Sequence, residues 1–368
     1  MENNKYFVID DFGAIGDGKT DNTATIQAAV DEAAKIGGTV FVPGGVYLCG
    51  KIQLKPHVTL KGDAAWSYRK DGGSILMLND ENADCMLDIT GAHGVKIESL
   101  CINGNDLGNG VHGIYNNWDM NIPRDVEDTP KIDACRVSKF TGDGVHLNHI
   151  WCFSLRHCMI GFNKGNGLYI NGWDGFILDN WFSYNLGAGV YSVEDGSALT
   201  FTGNRVEWNI VAGFLLHNPI GVNLANNYFD ASGGPALDLN CPKGKRAINM
   251  AITGNIFHRS GMPLLRKGEE DSTSCHVYMC RCMNVTFASN TFYHGIDDCG
   301  NRSLLCPKSV LTYKKLQNCI IKDNVFMNGA THTTVTDLGE HTGEVIFKDN
   351  IGNANPAVGE FIYPFFED

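Results

Sequence analysis

The stretch NRVEWN at residues 204–209 contains a frame that returns along most of the chain. Each copy begins with an anchor residue, asparagine or cysteine, and carries an apolar residue two positions later. The copies are CRVSKF from Cys135, CMIGFN from Cys158, NWFSYN from Asn180, NRVEWN from Asn204, NYFDAS from Asn227, NIFHRS from Asn255, NTFYHG from Asn290 and NVFMNG from Asn324, and a further anchor is Asn350. The shortest copies follow one another every 22 to 24 residues. A period of this length indicates a fold built from stacked repeats.

Each copy is one part of a three-strand unit. An alternating strand leads into the anchor, a short strand follows it, and a glycine or other small residue opens a third strand, as in GVHLN at 144–148. Alternation at period two places one face of each strand inside the fold. Strands of successive units, paired about 4.8 Å apart, predict an all-β fold, a parallel β-helix. The anchor asparagines then form a column at one bend, where their amides bond to one another and to the backbone.

An N-terminal segment has the pattern of a helix that covers the open end of such a stack. In TDNTATIQAAVDEAAKIGG at 20–38, Asp21 or Asn22 provides an N-cap and Gly37–Gly38 ends the helix. Its apolar residues at helical spacing are Ile26, Ala29, Val30, Ala33 and Ile36. We predict a single domain over 1–368, with a capping helix within 17–38, repeat coils over 95–350, and loop insertions near 116–134, 260–274 and 294–309.

The net charge of the chain restricts the classes of ligand that it is expected to bind. A formal net charge of −12 argues against nucleic acid, and it disfavours a long polyanionic ligand unless a local basic cleft is present. No segment approaches the length of a membrane-spanning helix, so no membrane partner is expected. We also expect no cofactor and no metal. Assembly into a homo-oligomer, such as a trimer, stays open.

The cysteines and the N-terminus indicate the compartment. The 13 cysteines are odd in number and include no CxxC pair, which favours reduced, buried thiols over disulfides. The first residues, MENNKYFVIDD, lack the basic start and apolar run of a secretory signal. A cytoplasmic protein is therefore expected, unless a leader has been removed.

At DFGAIGDGKTDNTATIQAAVDEA, residues 11–33, the sequence resembles the opening of the pectate-lyase-3-like superfamily. This group includes polygalacturonase-related glycosidases, lyases and phage tailspike proteins. The resemblance implies a single-stranded right-handed parallel β-helix and a carbohydrate ligand. The NTD…DD, GHG and RIK patterns of polygalacturonases and the RxxR pattern of pectate lyases are absent, so the resemblance assigns no catalytic residues.

Residues one, three and four positions after the anchors predict a site on the lateral face. Glu207, Asp230 and His258 lie three after successive anchors, and their side chains are expected to point outward. Two carboxylates can serve as acid/base and nucleophile, cationic side chains can orient a sugar, and aromatic rings can stack on it. The residues expected to contribute from the neighbouring positions are Arg205, Trp208, Arg259 and Tyr184. The alternative is that an exposed strand face simply carries polar residues.

The third strands predict a second outward ladder, whose members are Tyr115, His146, Tyr169, Tyr191, Leu215 and Asp238, with His217 just beyond. Asp238 is a third catalytic candidate because it follows Asp230 by eight residues. Long insertions between second and third strands add Glu270, Asp271 and Asp298 as substrate-binding candidates.

These patterns predict a glycoside hydrolase, or a related transglycosylase, that acts on an oligo- or polysaccharide. One alternative is a polysaccharide lyase, in which an Arg, Lys or His abstracts the proton next to a uronate carboxylate. A second alternative is a non-catalytic glycan-binding or tailspike-like module. Lyase products absorb in the near ultraviolet, whereas a binding module gives no turnover.

Overall fold

The computed structural model describes residues 6–123, 125–261, 274–296, 304–327 and 330–353. The chain falls into two compact units, Met1–Gly187 and Ala188–Asp368. Among the described residues the helical elements are one α-helix, Thr23–Ala34, and one 3-10 turn, Ile9–Phe12. Almost all other regular structure is parallel strand, so the all-β parallel β-helix predicted from the repeat is confirmed. That the chain forms a single domain stays a prediction.

In the first unit the strands fall into three columns in which neighbouring coils pair in parallel. The strands after the anchors are Asp17–Asp21, Gly45–Cys49, Ser74–Leu78, Cys101–Asn103, Arg136–Ser138, Met159–Gly161 and Trp181–Ser183. The strands before the anchors are Tyr6–Val8, Thr39–Val42, Thr59–Gly62, Lys96–Glu98 and Lys131–Asp133. The third strands are Ile52–Gln53, Cys85–Asp88, His112–Asn117, Val145–Arg156 and Leu168–Leu178, of which the last two continue into the column that precedes the next anchor.

The first unit corrects two predicted boundaries. Tyr6–Val8 already pairs with Thr39–Val42, so the coils begin well before residue 95, where the repeat first becomes visible in the sequence. The helix is shorter than 17–38 because Asp17–Asp21 is a strand. Asn22 lies at the N-cap position, but its side chain bonds to Ile15 and Thr20 instead of to the helix. Ile36 lies beyond the helix and is exposed, in contrast to the other predicted apolar positions.

The second unit repeats the three columns. The strands after the anchors are Arg205–Glu207, Tyr228–Asp230, Ile256–His258, Thr291–Tyr293 and Val325–Phe326. The strands before the anchors are Thr200–Thr202, Asn223–Ala225, Ala247–Thr253, Cys282–Ala288, Cys319–Lys322 and Val345–Lys348. The third strands are Val190–Ser192, Phe214–Leu216, Leu237–Asn240, Cys275–Cys280, Ser309–Lys314 and Thr333–Asp337. The remaining short strands are Gly196–Ser197, Pro219–Ile220, and the antiparallel pair Gly295–Ile296 and Leu304–Leu305.

A column of aromatic rings fills part of the interior of the second unit. Phe229, Phe257, Phe292 and Phe326 are register partners, each two residues after an anchor. Neighbouring rings stack with centroids 4.9 to 5.0 Å apart. All four side chains are buried, as expected for the inward position of a strand whose faces alternate.

The anchor asparagines of the second unit form the predicted column. Asn227 Oδ1 accepts hydrogen bonds from the backbone N–H and the Nδ2 of Asn204, at 3.0 and 2.9 Å. The same two bonds recur at each step through Asn255, Asn290, Asn324 and Asn350. In the first unit Asn180 Oδ1 accepts from the Cys158 backbone N–H at 3.0 Å. A side-chain amide has one acceptor and two donor hydrogens, so it can form hydrogen bonds with the coil before it and the coil after it.

The cysteines that the structure describes form no disulfides. Twelve of the 13 cysteines lie in the described residues, where each is a free thiol and all but Cys152 are buried. Burial raises the pKa of Cys49 to about 12, so this thiol stays protonated. In the described ranges, no helix has the length and apolar character needed to cross a membrane.

Candidate functional site

The second unit places the predicted acids on adjacent strands. Glu207 is the register partner of Asp230, and Asp230 is the partner of His258. All three lie three residues after an anchor, on the face opposite the buried phenylalanines. We call Arg205, Glu207, Asp230, His258 and Arg259 the arginine–acid ladder. Despite their outward direction, Glu207, Asp230 and Arg259 are only 6%, 3% and 6% exposed.

Each acid of the arginine–acid ladder has its own guanidinium partner. Arg259 donates from Nε to Asp230 Oδ1 at 2.8 Å and from Nη2 to Oδ2 at 2.5 Å. Arg205 donates from Nε to Glu207 Oε2 at 2.8 Å. A two-pronged arginine–carboxylate contact fixes geometry as well as charge. The carboxylates are therefore acceptors in this arrangement, and proton donors must come from other side chains.

Aromatic rings surround these ion pairs. The Arg205 guanidinium lies 4.5 Å from the centroid of the Tyr228 ring, and that of Arg259 lies 5.6 Å from a Trp208 ring centroid. The Tyr228 hydroxyl is 3.1 Å from His258 Nδ1. Burial, and then the charge of Asp230, raise the pKa of Tyr228. Tyr228 is thus held as a neutral phenol beside a charged network.

The local fold explains why these side chains converge. Trp208 and Arg259 both occupy the position four after the anchor, where the backbone turns with φ of 57° and 44°. The turn lets Arg259 reach back across one coil to Asp230. The sequence placed these residues in one cluster, and the structure brings Arg205, Glu207, Trp208, Asp230, His258 and Arg259 together as predicted.

The other predicted site residues lie elsewhere or outside the described residues. Asp238 lies on a third strand, in a different sheet column from Asp230, and its Oδ1 is 3.4 Å from His217 Nε2. Tyr191 packs with Ala188, Ala212 and Leu215. Tyr184 belongs to the first unit, where its ring stacks on Phe162 at 5.2 Å. Glu270, Asp271 and Asp298 fall outside the residues that the structure describes.

A second polar cluster lies in the first unit. Tyr115, His146 and Tyr169 are register partners on three consecutive third strands, as the outward ladder predicts. Three positions before them, at the entrance to each strand, lie His112, Asp143 and Asn166. We call His112, Tyr115, Asp143, His146 and Tyr169 the histidine–tyrosine ladder. Its imidazoles are partly exposed and so accessible from solvent.

A His–Asp pair is the centre of this ladder. Asp143 Oδ2 is 2.7 Å from His146 Nδ1, while Oδ1 accepts hydrogen bonds from the backbone N–H and Nδ2 of Asn166 at 2.7 and 2.9 Å. The Asp143 backbone N–H donates to His112 Nδ1 at 3.0 Å. Burial raises the pKa of Asp143, but the hydrogen bonds from His146 and Asn166 outweigh it, so the pKa lies below its usual value. Asp143 is therefore an ionised acceptor that orients His146.

The rings of the ladder form a stack. His146 lies face to face with Tyr169, with ring centroids 4.3 Å apart, and its centroid is 4.4 Å from that of His112. Burial, followed by the nearby His146, lowers the pKa of His112, which favours the neutral imidazole. Burial raises the pKa of Tyr115. The stack therefore combines a neutral imidazole, a protonated phenol and a carboxylate-bound imidazole.

A cleft opens beside Tyr115. It has a volume of about 530 Å³ and is lined by Lys51, Gln53, Lys55, Tyr115 and Asn117. Lys51 is paired with Asp84 and Asp88, whereas Lys55 forms no ion pair with any described residue. His112, Asp143 and His146 also have ligand atoms within 4.8 Å of one another, a set that a divalent transition metal accepts.

The sequence pattern predicts three of the five residues of this ladder. The outward positions Tyr115, His146 and Tyr169 were read from the third strands, but His112 and Asp143 were not singled out. The signal was present: VHGIY, DGVHL and NGLYI begin at residues 111, 143 and 166, and aligning them on the glycine puts His112, Asp143 and Asn166 in one column. A column of polar residues at the start of successive strands can therefore indicate a site, as a column on a strand face does.

Two family models match the chain. The model described as rhamnogalacturonase A/epimerase, pectate lyase-like, matches residues 6–214. The model described as a right-handed β-helix region matches residues 188–363.

Curated relatives include two proteins of Azotobacter vinelandii. Alginate lyase 7 is 31% identical over 213 residues, which are 51% of this chain and 23% of the relative. Mannuronan C5-epimerase AlgE5 is 27% identical over 272 residues, 69% of this chain and 25% of the relative. The chain thus spans about a quarter of the length of these relatives.

Solved structures with the same fold include the A-module of mannuronan C-5 epimerase AlgE4 from Azotobacter vinelandii. It has a TM-score of 0.70 at 20% identity, covering 96% of this chain and 97% of that one. The DFA-IIIase of Arthrobacter chlorophenolicus A6 has a TM-score of 0.69 at 15% identity, covering 97% and 100%. At these identities the likeness establishes the fold.

Proposed function

The chain belongs to the rhamnogalacturonase A/epimerase, pectate lyase-like family, and from this membership we propose that it abstracts the proton next to the carboxylate of a uronate in an acidic glycan. The family and its β-helix neighbours are carbohydrate-active. The observation that carries the proposal is the Asp143–His146 pair, in which the buried Asp143 holds a partly exposed imidazole flanked by tyrosine rings. The names of the curated relatives, alginate lyase and mannuronan epimerase, support it.

His146 is the base in this proposal. Asp143 accepts the Nδ1–H of His146, which leaves Nε2 with a free lone pair. That nitrogen takes the C5 proton of the uronate, and the electron pair of the broken C–H bond moves into the adjacent carboxylate. Asn166 keeps the Asp143 carboxylate in place, so the imidazole needs little reorganisation. Lys55 lines the cleft, and in this proposal it binds the carboxylate on which negative charge develops.

Tyr115 is the proton donor. Its raised pKa keeps the phenol protonated near neutral pH, and it lines the same cleft as Lys55. If its proton goes to the glycosidic oxygen at C4, the C4–O bond breaks and a C4–C5 double bond forms, which is a lyase reaction. If the proton goes to C5 from the opposite face, the sugar is inverted, which is an epimerase reaction. Both outcomes share the first step and the same base.

The proposal is tested with oligomannuronate and oligogalacturonate as probes. Elimination gives products that absorb in the near ultraviolet, and epimerisation in D₂O gives deuterium at C5 without chain cleavage. We expect His146→Gln to lower turnover by at least ~10²-fold, whereas His157→Gln, which changes an exposed histidine of the same unit, leaves it unchanged. Wild-type turnover by His146→Gln, or products that carry one added water, would contradict the proposal.

Glycoside hydrolysis by Glu207 and Asp230 is the second candidate. One observation favours it: the two acids are register partners on adjacent strands, so their backbones lie ~4.8 Å apart. Such spacing is compatible with the carboxyl separation of retaining glycosidases, ~5–5.5 Å. Each acid has a guanidinium partner, which favours its charged form and so weighs against a carboxylic acid as the proton donor. The proton donor would then have to be His258 or Tyr228. Hydrolysis predicts products with one added water and loss of turnover in both Glu207→Gln and Asp230→Asn.

A further inference from the structure

The second unit carries a run of cations along one corner of its coils. Arg246 directly precedes the strand Ala247–Thr253, Arg281 directly precedes Cys282–Ala288, and Lys315 directly follows Ser309–Lys314. The Ala247 N–H donates to the Arg281 carbonyl and the Arg281 N–H donates to the Lys314 carbonyl, so the three residues lie on successive coils. Their backbones are therefore separated by about 4.8 Å per coil.

These cations are largely unneutralised. Within the described part of the chain, Arg246 and Arg281 form no ion pair, and Lys315 pairs with Glu340, whose side chain is mostly exposed. Arg281 is held in place because its Nη1 donates to the Cys241 carbonyl. In a chain with a net charge of −12, such a run of positive charge is the local exception.

The three cations and one acid, Glu340, line a cleft of about 310 Å³, together with Cys282, Met283, Gln317 and Thr342. Amide and hydroxyl groups can bind sugar hydroxyls, and the methionine offers an apolar surface for a ring face. The spacing of one cation per coil is close to the length of one sugar unit in an extended glycan. A site for a small inorganic anion would need only the cations, whereas this cleft also offers groups that can contact a sugar ring and its hydroxyls.

We propose that this basic cleft, defined by Arg246, Arg281 and Lys315, binds a carboxylated segment of an acidic glycan, with one carboxylate on each of two or three successive coils. The inference rests on the proposed function only for the choice of glycan. It places a binding site in the second unit, and none of the residues of that site is assigned to proton abstraction. It also supplies the local basic cleft that an acidic chain needs to hold a polyanion.

The test measures binding without turnover. In a His146→Gln background, the dissociation constant of an oligomannuronate hexamer is measured by calorimetry, with a neutral cello-oligosaccharide and inorganic phosphate as further probes. We expect Arg246→Gln combined with Lys315→Gln to raise the dissociation constant for the uronate at least tenfold, and to reduce its dependence on salt. Lys348→Gln, an exposed lysine of the same unit, is the matched control and should bind as its parent does.

Three outcomes overturn the inference: unchanged uronate binding in the double variant, equally strong binding of the neutral oligosaccharide, or phosphate binding as tight as that of the uronate. The last outcome would mark the cleft as a site for small inorganic anions. If the His146→Gln variant itself cleaves or epimerises the hexamer, the proposed function fails. The binding inference is judged separately, by comparing the dissociation constant of the uronate hexamer with that of a hexamer whose carboxylates have been reduced.

Discussion

Asp230 accepts two hydrogen bonds in a two-pronged contact from Arg259, a residue of the next coil that turns back across the stack. Both residues are nearly inaccessible to solvent. Charge buried in this way is costly when one partner is removed, because the remaining ion has lost its water and gains nothing in return. The contact thus ties two coils together on the face where Glu207 and His258 also lie.

Removing Arg259 should therefore destabilise the protein far more than removing Arg205. We expect Arg259→Leu to lower the free energy of unfolding by ~3–5 kcal/mol, the typical effect of breaking a buried pair. Arg205→Leu breaks a pair whose arginine is 45% exposed but whose carboxylate is only 8% exposed, so a smaller loss of about 1–2 kcal/mol, for one buried acceptor left unpaired, is expected. Urea unfolding followed by circular dichroism measures both, and equal losses in the two variants would contradict the difference in burial.

The asparagine column predicts a similar cost for a neutral group. Asn255 accepts two hydrogen bonds from Asn227 and donates to Asn290 and to the Leu224 carbonyl. Asn255→Ala removes these four hydrogen bonds, although Asn290 Oδ1 keeps its bond from the backbone N–H of residue 255 and Asn227 Nδ2 keeps its bond to the Phe201 carbonyl. Each buried group that is left unsatisfied should cost ~1–3 kcal/mol. Asn223→Ala, at an exposed strand position of the same unit, is the control and should stay within about 0.5 kcal/mol of the wild type. The difference is measured by chemical denaturation.

The column also indicates what the sequence can and cannot predict. The anchors, the phenylalanines at the inward positions and the Glu207–Asp230–His258 register all follow from local periodicity, because each coil repeats the same inside–outside choice. The partners of the acids do not follow from it. Arg259 reaches Asp230 only because its backbone turns with φ of 44°, and no periodic pattern gives the direction of a side chain at such a bend.

The first unit shows that the sequence repeat does not predict the full extent of the stack. The coils between Tyr6 and residue 95 stack as regularly as the later ones, although their sequences lack asparagine anchors. Backbone pairing between coils does not depend on side-chain identity, so a stack can continue where the sequence repeat fades. His112 and Asp143 do not follow from the pattern of the strand faces, since His112 is the first residue of its strand and Asp143 precedes its strand.

His276 should make stability depend on pH. This side chain is fully buried, and burial together with His258 and His294 holds its pKa well below the usual value of 6.5. Because the unfolded chain binds a proton near pH 6.5 and the folded chain does not, stability is complete above that pH and falls as the pH drops toward the folded pKa. We expect His276→Leu to flatten this fall in melting temperature between pH 7 and 5.

The control for this pH effect is His332→Gln, which changes an exposed histidine and should leave the slope as it is in the wild type. Since neither ring nitrogen of His276 has a hydrogen-bond partner among the described residues, the leucine variant should lose little stability at pH 7. A wild-type slope in His276→Leu would contradict the assignment of the acid sensitivity to His276.

The Asp143–His146 pair gives the sharpest prediction for activity. In Asp143→Asn the amide can donate a hydrogen bond to Nδ1, which turns the imidazole to the tautomer whose Nε2 carries the proton and cannot accept another. Turnover of oligouronate should then fall by ~10²-fold or more, with a much smaller change in KM, because substrate contacts remain. Asp174→Asn, which changes an exposed acid on the same long strand as Tyr169, should keep wild-type turnover.

The low pKa of Asp143 also predicts a pH-dependent stability. The contribution of Asp143 to stability is present above the unfolded carboxyl pKa of ~3.9 and is lost as the pH falls through the folded value. The stability gap between wild type and Asp143→Asn, measured by urea unfolding, should accordingly be larger at pH 7 than at pH 3. A gap that does not change with pH, together with unchanged turnover, would mean that Asp143 neither orients His146 nor holds its charge in the folded protein.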